Sequence, residues 1–101
     1  MAGYTRGEAR DWAREHLRGV VNVIIPSFTS DLSAINEAAV RHDVRMQLTH
    51  GFDGALLVSE VAITQPEYRE FCEIAADEAK GRQLLFHHSS WSDLDQALAA
   101  L

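Results

Sequence analysis

The polar side chains best suited to chemistry in this 101-residue chain come directly after three hydrophobic runs. Ser27 follows the first run, Ser59 and Glu60 follow the second, and residues 87–90, His-His-Ser-Ser, follow the third. Serine hydroxyls can relay protons, a buried carboxylate can act as a general base, and histidine changes charge near neutral pH. In sheets of parallel strands such groups gather at the carboxyl ends of the strands, so we expect the three clusters to meet at one rim.

Each of these residues has a chemical role and a structural alternative. Glu60 is a candidate general base if burial raises its pKa, or it binds backbone amides of a neighbouring loop and only shapes the rim. Ser27 is a candidate for passing a proton to a tyrosine supplied elsewhere, or it bonds to local backbone. The residues expected to contact substrate are the polar ones that follow the second and third runs, Ser59, His87, His88 and Ser89.

The two adjacent histidines, His87 and His88, point to opposite faces if they lie in a strand. We expect one to face the interior of the fold and the other to lie under a helix. No His-x-His or Cys-x-x-Cys spacing supplies the further ligands that a metal ion needs. The sequence therefore predicts no metal site, and it predicts no cofactor.

Composition narrows the range of partners. The net charge is −6 and Lys and Arg form no cluster, which argues against a nucleic-acid partner. No apolar run is long enough to span a bilayer, and the N-terminus does not have the form of a secretory signal. A single cysteine, Cys72, cannot form an internal disulfide, which is typical of a reducing compartment. We therefore expect a cytoplasmic protein with no membrane partner.

The elements that must position the rim residues are three strands, each followed by an amphipathic helix. The strands are predicted at Val20–Ile25, Gly54–Val58 and Gln83–Phe86. Nearly continuous apolar runs are typical of parallel strands buried on both faces. The strand starts are about 30 residues apart, which is the size of one βα unit. The sequence therefore predicts an α/β fold with parallel strands.

Helix starts are predicted from residues that can accept hydrogen bonds from unpaired amides. Two segments have the form of a capping box, one before the N-terminal helix and one before the third helix. The predicted N-caps of the four helices, in chain order, are Thr5, Asp31 or Ser33, Thr64, and Ser90 or Ser92. The second helix is expected to run to about His50.

Several segments resemble one known family. Residues 19–28, Gly-Val-Val-Asn-Val-Ile-Ile-Pro-Ser-Phe, resemble the first strand of the dihydrodipicolinate synthase and N-acetylneuraminate lyase family. Residues 51–58, Gly-Phe-Asp-Gly-Ala-Leu-Leu-Val, resemble the family's second strand and the turn before it, and residues 60–69 resemble the loop and helix that follow. The resemblance covers residues 18–101. It implies a partial (β/α)8 TIM barrel, with residues 1–18 as an N-terminal helical extension and residues 19–101 as the first three of eight βα units.

The resemblance also implies an activity for the complete protein. Members of the family are class I aldolases and lyases that join a lysine to pyruvate or a related 2-oxo acid as a Schiff base. That lysine lies on the sixth strand and a catalytic tyrosine lies near the end of the fourth or fifth, beyond the part that these residues match. Lys80 follows a helix and does not take the lysine's place, so we expect the isolated chain to be inactive.

The loop after the second strand departs from the family pattern. The family has a Gly-Thr-Thr-Gly-Glu loop that holds the substrate carboxylate, whereas this chain has Ser59 and Glu60 after Val58. In the loop after strand one the family has Thr-Pro-Phe, where this chain has Pro26-Ser27-Phe28. In the loop after strand two, only Glu60 matches the family pattern directly. In the loop after strand one, Ser27 is the residue nearest the family's proton-relaying threonine.

Two functions follow as expectations. The first is the N-terminal segment of a lyase of this type, which acts on a small 2-oxo acid and forms homo-oligomers. The alternative is a small non-enzymatic α/β module that self-associates or binds a protein partner through its sheet edge. If the chain is an arc of a barrel, the inner face of its sheet is uncovered. The residues then expected to face water, themselves or through their neighbours, are Val21, Val23, Leu56 and Leu85.

Overall fold

The strand–helix alternation is present in full in the computed structural model, which describes residues 4–91 and 93–99. A 3-10 turn at Arg6–Glu8 leads into the first helix. The helices are α1 (Ala9–His16), α2 (Glu37–Thr49), α3 (Gln65–Ala79) and α4 (Leu94–Ala99), and the strands are β1 (Val21–Ile24), β2 (Gly54–Leu57) and β3 (Leu84–His87). The predicted strands β1 and β2 each contain the observed one, and β3 lies one residue later than predicted.

The three strands form one parallel sheet in the order β1-β2-β3. Ile24 is in register with Leu57, and Leu57 is in register with His87. All three strands therefore end at the same level, and the loops that follow them start from one rim. The expected α/β class and the parallel arrangement are confirmed.

The two faces of the sheet differ in the burial of the apolar side chains of β1 and β2. Ile24, Ala55 and Leu57 point towards α2 and α3 and are 0–3% exposed. Val21 and Val23 point the other way and are 44% and 47% exposed. Because side chains alternate between faces along a strand, this second face is the inner face of the arc.

One of the residues expected on the inner face is on the outer one. Leu85 packs against the buried core beneath the helices. Ala55 is in register with Leu85, so Ala55 and Leu85 both lie on the helix side. Because side chains alternate along a strand, Leu84 and Phe86 lie on the inner face. Leu56 lies between two outward residues of β2 and is partly exposed on the inner face, as predicted.

Helices α2 and α3 cover the outer face as a packed pair. Val40 and Val44 of α2 and Phe71 of α3 are fully buried between the helices and the sheet. At the surface of the pair, the Arg41 guanidinium bonds to Asp77 at 2.7 Å and also to Glu37 and Glu78. The core of the fold is therefore one layer, between the sheet and two helices.

The amino ends of the strands are joined through Asp53. Its backbone amide donates to the Val20 carbonyl and its side-chain Oδ2 accepts from the Val20 amide, both at 2.9 Å, while its carbonyl accepts from the Leu84 amide. Gly19 lies beside it with φ +89°, and a Cβ at that position would collide with Asp53 Oδ2. Gly19 is thus required both by its backbone conformation and by the close approach of Asp53.

Two helix starts differ from the prediction. Asn36, rather than Asp31 or Ser33, caps α2, with Oδ1 accepting from the Ala39 amide at 3.1 Å. The reason is an isolated antiparallel bridge between Phe28 and Ile35, which keeps the preceding residues in a loop. At α4, Asp93 accepts from the Gln96 amide in the capping position.

Of the other predicted caps, Ser90 bonds to Ser59 instead of capping α4. Ser92 lies outside the described residues. Both capping boxes, at Thr5 with Glu8 and at Thr64 with Glu67, are confirmed.

The first and last helices lie outside the packed layer. Neither α1 nor α4 buries a residue, and Leu94 and Leu98 of α4 are 73% and 57% exposed. The division of the chain at residue 18 stays a prediction. Among the residues that the structure describes, no helix is both long enough and apolar enough to cross a membrane.

Candidate functional site

The rim between β2 and β3 is held together by Ser59. Its hydroxyl donates to the His88 carbonyl at 2.7 Å and accepts from the Ser90 amide at 3.2 Å. Its Oγ also lies 2.9 Å from the Ser90 hydroxyl. Ser59 is only 5% exposed, so this hydroxyl joins two loops rather than facing an open site.

A buried tyrosine supports the same rim from below. The Tyr68 hydroxyl, on the first turn of α3, donates to the Leu57 carbonyl at 2.8 Å and accepts from the His88 amide at 3.1 Å. Burial raises the pKa of Tyr68 well above its ordinary value of 10.0. The phenol therefore stays neutral and bridges the carboxyl ends of β2 and β3.

The two histidines lie on opposite faces, as their adjacency predicts. His87 lies on the helix side, with its ring centroid 5.1 Å from that of Tyr68 in an edge-on contact. Partial burial, with a smaller contribution from the neighbouring His88, lowers the pKa of His87. His88 lies on the other side, where its Nδ1 is 3.4 Å from the Ser59 amide.

Glu60 lies next to His88 at the open side of the rim. Glu60 Oε1 is 4.0 Å from His88 Nε2, and the Glu60 side chain is 68% exposed. The general-base hypothesis requires a buried Glu60, and in the described part of the chain its side chain is exposed. The role itself stays a prediction.

Ser27 and Ser89 contact other parts of the fold. Ser27 Oγ is 3.5 Å from Asp43 Oδ2 on α2, which places it on the helix side of β1. Ser89 Oγ is 3.4 Å from the Ala97 carbonyl on α4. Among the predicted site residues, the contacts thus join Ser59, Glu60 and His88 and take Ser27 and Ser89 elsewhere.

The loop after β1 is built on a carboxylate. Asp31 Oδ1 accepts from the Thr29 hydroxyl at 2.7 Å and from both the amide and the hydroxyl of Ser33. These bonds, with Thr29 as the largest cause, lower the pKa of Asp31 from 3.8 to about 2. The loop is therefore ordered by an ionised side chain that the sequence offered as a helix cap.

Two grooves open on the helix side of the sheet. One, of about 440 Å³, runs along the free edge of β1 and is lined by residues that include Ser27, Asp43 and Gln47. The other, of about 630 Å³, lies between α3 and α4 beside Cys72 and His87. Burial raises the pKa of the Cys72 thiol, so this cysteine is a poor nucleophile. Neither groove is lined by Ser59 or His88.

The groove along β1 contains a half-satisfied buried amide. Gln47 is 7% exposed, its Nε2 donates to the Val23 carbonyl at 3.1 Å, and its Oε1 has no partner. The carbonyls of Val20 and Ile24 face β2, so that of Val23 faces the free edge. Gln47 therefore covers part of an edge that is otherwise open.

Metal chemistry finds no support in the described part of the chain. Residues 4–91 and 93–99 contain no group of three or more His, Cys, Asp or Glu side chains that could hold a metal ion. At the rim, Glu60 and His88 are groups that can form hydrogen bonds and transfer protons.

Comparison with solved structures shows which known fold this chain resembles. N-acetylneuraminate lyase from Fusobacterium nucleatum matches 83% of this chain with a TM-score of 0.76 and 26% sequence identity. The chain is similar in structure to N-acetylneuraminate lyase. The expected resemblance is thus confirmed, and the open sheet is a partial barrel of the lyase type. The chain spans about 30% of the length of that lyase.

Comparisons by sequence give no further kinship. No model of a protein family matches the chain, and no curated protein matches it. The similarity to N-acetylneuraminate lyase is therefore carried by the order and packing of βα units, together with the 26% of positions that are identical.

One residue of the rim, Tyr68, was missed by sequence reasoning about function. Tyr68 falls at helical spacing with Phe71 and Ala75, so it reads as one more apolar residue of α3. Ser90 belongs to the cluster after the third run, although it is also a candidate helix cap. A βα repeat places the start of α3 and the end of β3 at the same rim, and this is the signal that could have found Tyr68.

Proposed function

We propose that these residues supply the first three βα units of a larger lyase barrel that acts on a small 2-oxo acid, such as pyruvate, through a Schiff base. One observation carries the proposal. In residues 4–91 and 93–99 the sheet is parallel, its strands end in register, and helices cover one of its two faces. The other face has the position of a barrel interior in a fold similar to N-acetylneuraminate lyase.

The exposed apolar residues of the inner face support this proposal. Val21, Val23 and Ile25 are 44%, 47% and 58% exposed. A valine or isoleucine left in water forgoes about 1.5–3 kcal/mol of burial. Further strands that close the ring would bury this face and pair both free edges of the sheet.

The proposal assigns the reacting amine to another part of the barrel. Lys80 is the C-cap of α3 in the left-handed conformation, with φ 50°, and three residues separate it from β3. It therefore lies at the amino end of β3, whereas Ser59, Glu60 and His88 lie at the carboxyl ends. In the complete barrel we propose that Glu60 and Ser27 take part in proton transfer and that Ser59, His87, His88 and Ser89 shape the substrate site.

A chimaera tests the proposed function. Residues 19–99 of this chain would replace the matching segment of the Fusobacterium nucleatum lyase, and the product would be incubated with labelled pyruvate and borohydride. We expect a folded chimaera to trap pyruvate on a lysine of the recipient portion. A chimaera that is soluble and cooperatively folded but traps no pyruvate would contradict the proposal.

The isolated chain provides the complementary arm. We expect no adduct on Lys80 when the same reagents are applied to these 101 residues, and peptide mapping separates Lys80 from the terminal amine. The variant Lys80→Arg is the matched control, because it keeps the charge and removes the amine nucleophile. An adduct on Lys80 that is lost in this variant would show that the chain carries its own amine.

The alternative function has one observation in its favour. Gln47 covers the centre of the β1 edge by its bond to the Val23 carbonyl, as natural edge strands are often protected. We propose as second candidate a small non-enzymatic module that uses the remaining edge to bind a protein partner. A stable monomer with a cooperative melt would favour this self-sufficient module over the arc of a barrel.

A further inference from the structure

The orientation of the His88 ring follows from the group that faces its Nδ1. The Ser59 amide lies 3.4 Å from His88 Nδ1, and a backbone amide can only donate. Nδ1 is therefore the acceptor. The neutral ring then carries its proton on Nε2, and this N–H points away from Ser59 towards the open rim.

The Ser59 hydroxyl is already committed to the loop. It gives its single proton to the His88 carbonyl at 2.7 Å, so the Ser90 hydroxyl, 2.9 Å away, must donate to it. The Ser90 amide donates to the same oxygen. Ser59 therefore has no proton to offer a ligand, and it acts as a positioning residue that holds the backbone of His88.

A gap separates His88 Nε2 from Glu60. His88 Nε2 lies 4.0 Å from Glu60 Oε1, which is longer than a hydrogen bond. The Nε2–H group on one side of this gap is a donor, and the Glu60 carboxylate on the other side is an acceptor. A hydroxyl group is the ligand that satisfies both, because its oxygen accepts and its proton donates. A carboxylate would meet the like charge of Glu60, and a ketone oxygen could not donate to it.

We infer that His88 and Glu60 form a donor–acceptor pair that binds a hydroxyl group of a hydroxylated substrate, with His88 held as the Nε2-protonated tautomer by Ser59. The inference rests on the proposed function only in taking the rim of the complete barrel as the substrate site. The Tyr68 proton is held by the Leu57 carbonyl, so Tyr68 does not compete for this position. His87 faces the helix side and does not approach the pair from the other face.

The tautomer is tested on the chain without ligand. Long-range ¹H–¹⁵N correlation at alkaline pH, where imidazole is neutral, distinguishes Nε2–H from Nδ1–H. His88→Gln assigns the signal, and His87→Gln is the matched control that should leave it in place. We expect the Nε2–H form, and a dominant Nδ1–H form would overturn the inference.

The ligand preference is tested with glycerol and pyruvate as small probes. We expect glycerol to shift the His88 ring signals in a saturable manner, and we expect this shift to be lost in Glu60→Ala and kept in Glu15→Ala, the matched change at an exposed position of α1. No shift with glycerol, or an equal shift with pyruvate, would overturn the inference. Neither probe experiment involves a Schiff base, so its result is independent of the trapping experiments on the lyase proposal.

Discussion

The Tyr68 hydroxyl lies between two strand ends and bonds to both. It accepts from the His88 amide at 3.1 Å after β3 and donates to the Leu57 carbonyl at 2.8 Å at the end of β2. Tyr68 itself is 2% exposed. A residue of α3 thereby sets the spacing of the two loops that form the candidate site, so the rim depends on the helix beneath it.

Replacement of Tyr68 by phenylalanine should destabilise the fold and loosen the rim. The change removes the hydroxyl and keeps the ring, and it leaves the buried Leu57 carbonyl and the partly buried His88 amide without this partner. We expect the free energy of unfolding to fall by about 1–3 kcal/mol, measured by denaturant titration. Tyr4→Phe is the matched control, because Tyr4 is at the surface, and an equal loss in both variants would contradict the role given to Tyr68.

Gly19→Ala should lower the free energy of unfolding more than Gly51→Ala does. Both glycines have positive φ, +89° and +81°, so alanine pays a conformational cost of about 1–2 kcal/mol at either position. At Gly51 nothing lies within 4 Å of the added Cβ, whereas at Gly19 it would strike Asp53. Thermal unfolding of the two variants checks the order of stability.

A double variant separates clash from backbone strain. Asp53→Ala should remove the collision at Gly19→Ala, so the two changes together should cost less than the sum of their separate effects. Strict additivity of the two free-energy changes would show that Asp53 does not approach Gly19 as the structure has it.

The loop after β1 should depend on pH through Asp31. The folded pKa is lowered from 3.8 to about 2 by bonds from Thr29 and Ser33. A lowered folded pKa stabilises the folded state, and this stabilisation is fully present above pH 3.8 and is lost as the pH falls through about 2. Carboxyl chemical shifts measured against pH should show this, and Thr29→Ala should move the midpoint upwards. A midpoint at 3.8 in the unsubstituted chain would contradict the loop geometry.

Arg41 should stabilise the α2–α3 pair in a salt-dependent way. Its guanidinium contacts Asp77, Glu37 and Glu78 at 2.7, 3.1 and 3.3 Å. We expect Arg41→Gln to lower the melting temperature at low salt and to do so less at high salt, because ions screen exposed charges. Arg14→Gln is the control, since its pair with Asp11 is exposed and 3.8 Å long. Equal effects of the two changes would contradict a specific role for Arg41.

The repeating elements could be predicted because their signals are local. The apolar runs mark the strands to within one residue, and the Thr64 capping box marks the start of α3. The start of α2 could not be found in this way, because Asp31, Ser33 and Asn36 are all good caps. The choice among them is made by the bridge between Phe28 and Ile35.

The candidate site was predictable in outline and not in detail. The order of βα units implies that residues after β2 and β3 meet, and Ser59 and His88 do so. The position of Ser27 on the helix side depends on the direction of its side chain at the end of β1. The bridging role of Tyr68 depends on the packing of α3 beneath the rim. Those are tertiary properties that no spacing in the sequence carries.

The measurement that bears most directly on the account is the solution mass of these 101 residues as a function of concentration. An arc with an uncovered inner face should associate, so light scattering after size-exclusion chromatography should give a mass above 11.3 kDa that rises with concentration. Val23→Glu, on the inner face, should reduce that association. A monomer at every concentration, with a cooperative melt, would contradict the claim that this sheet is part of a barrel completed by further strands.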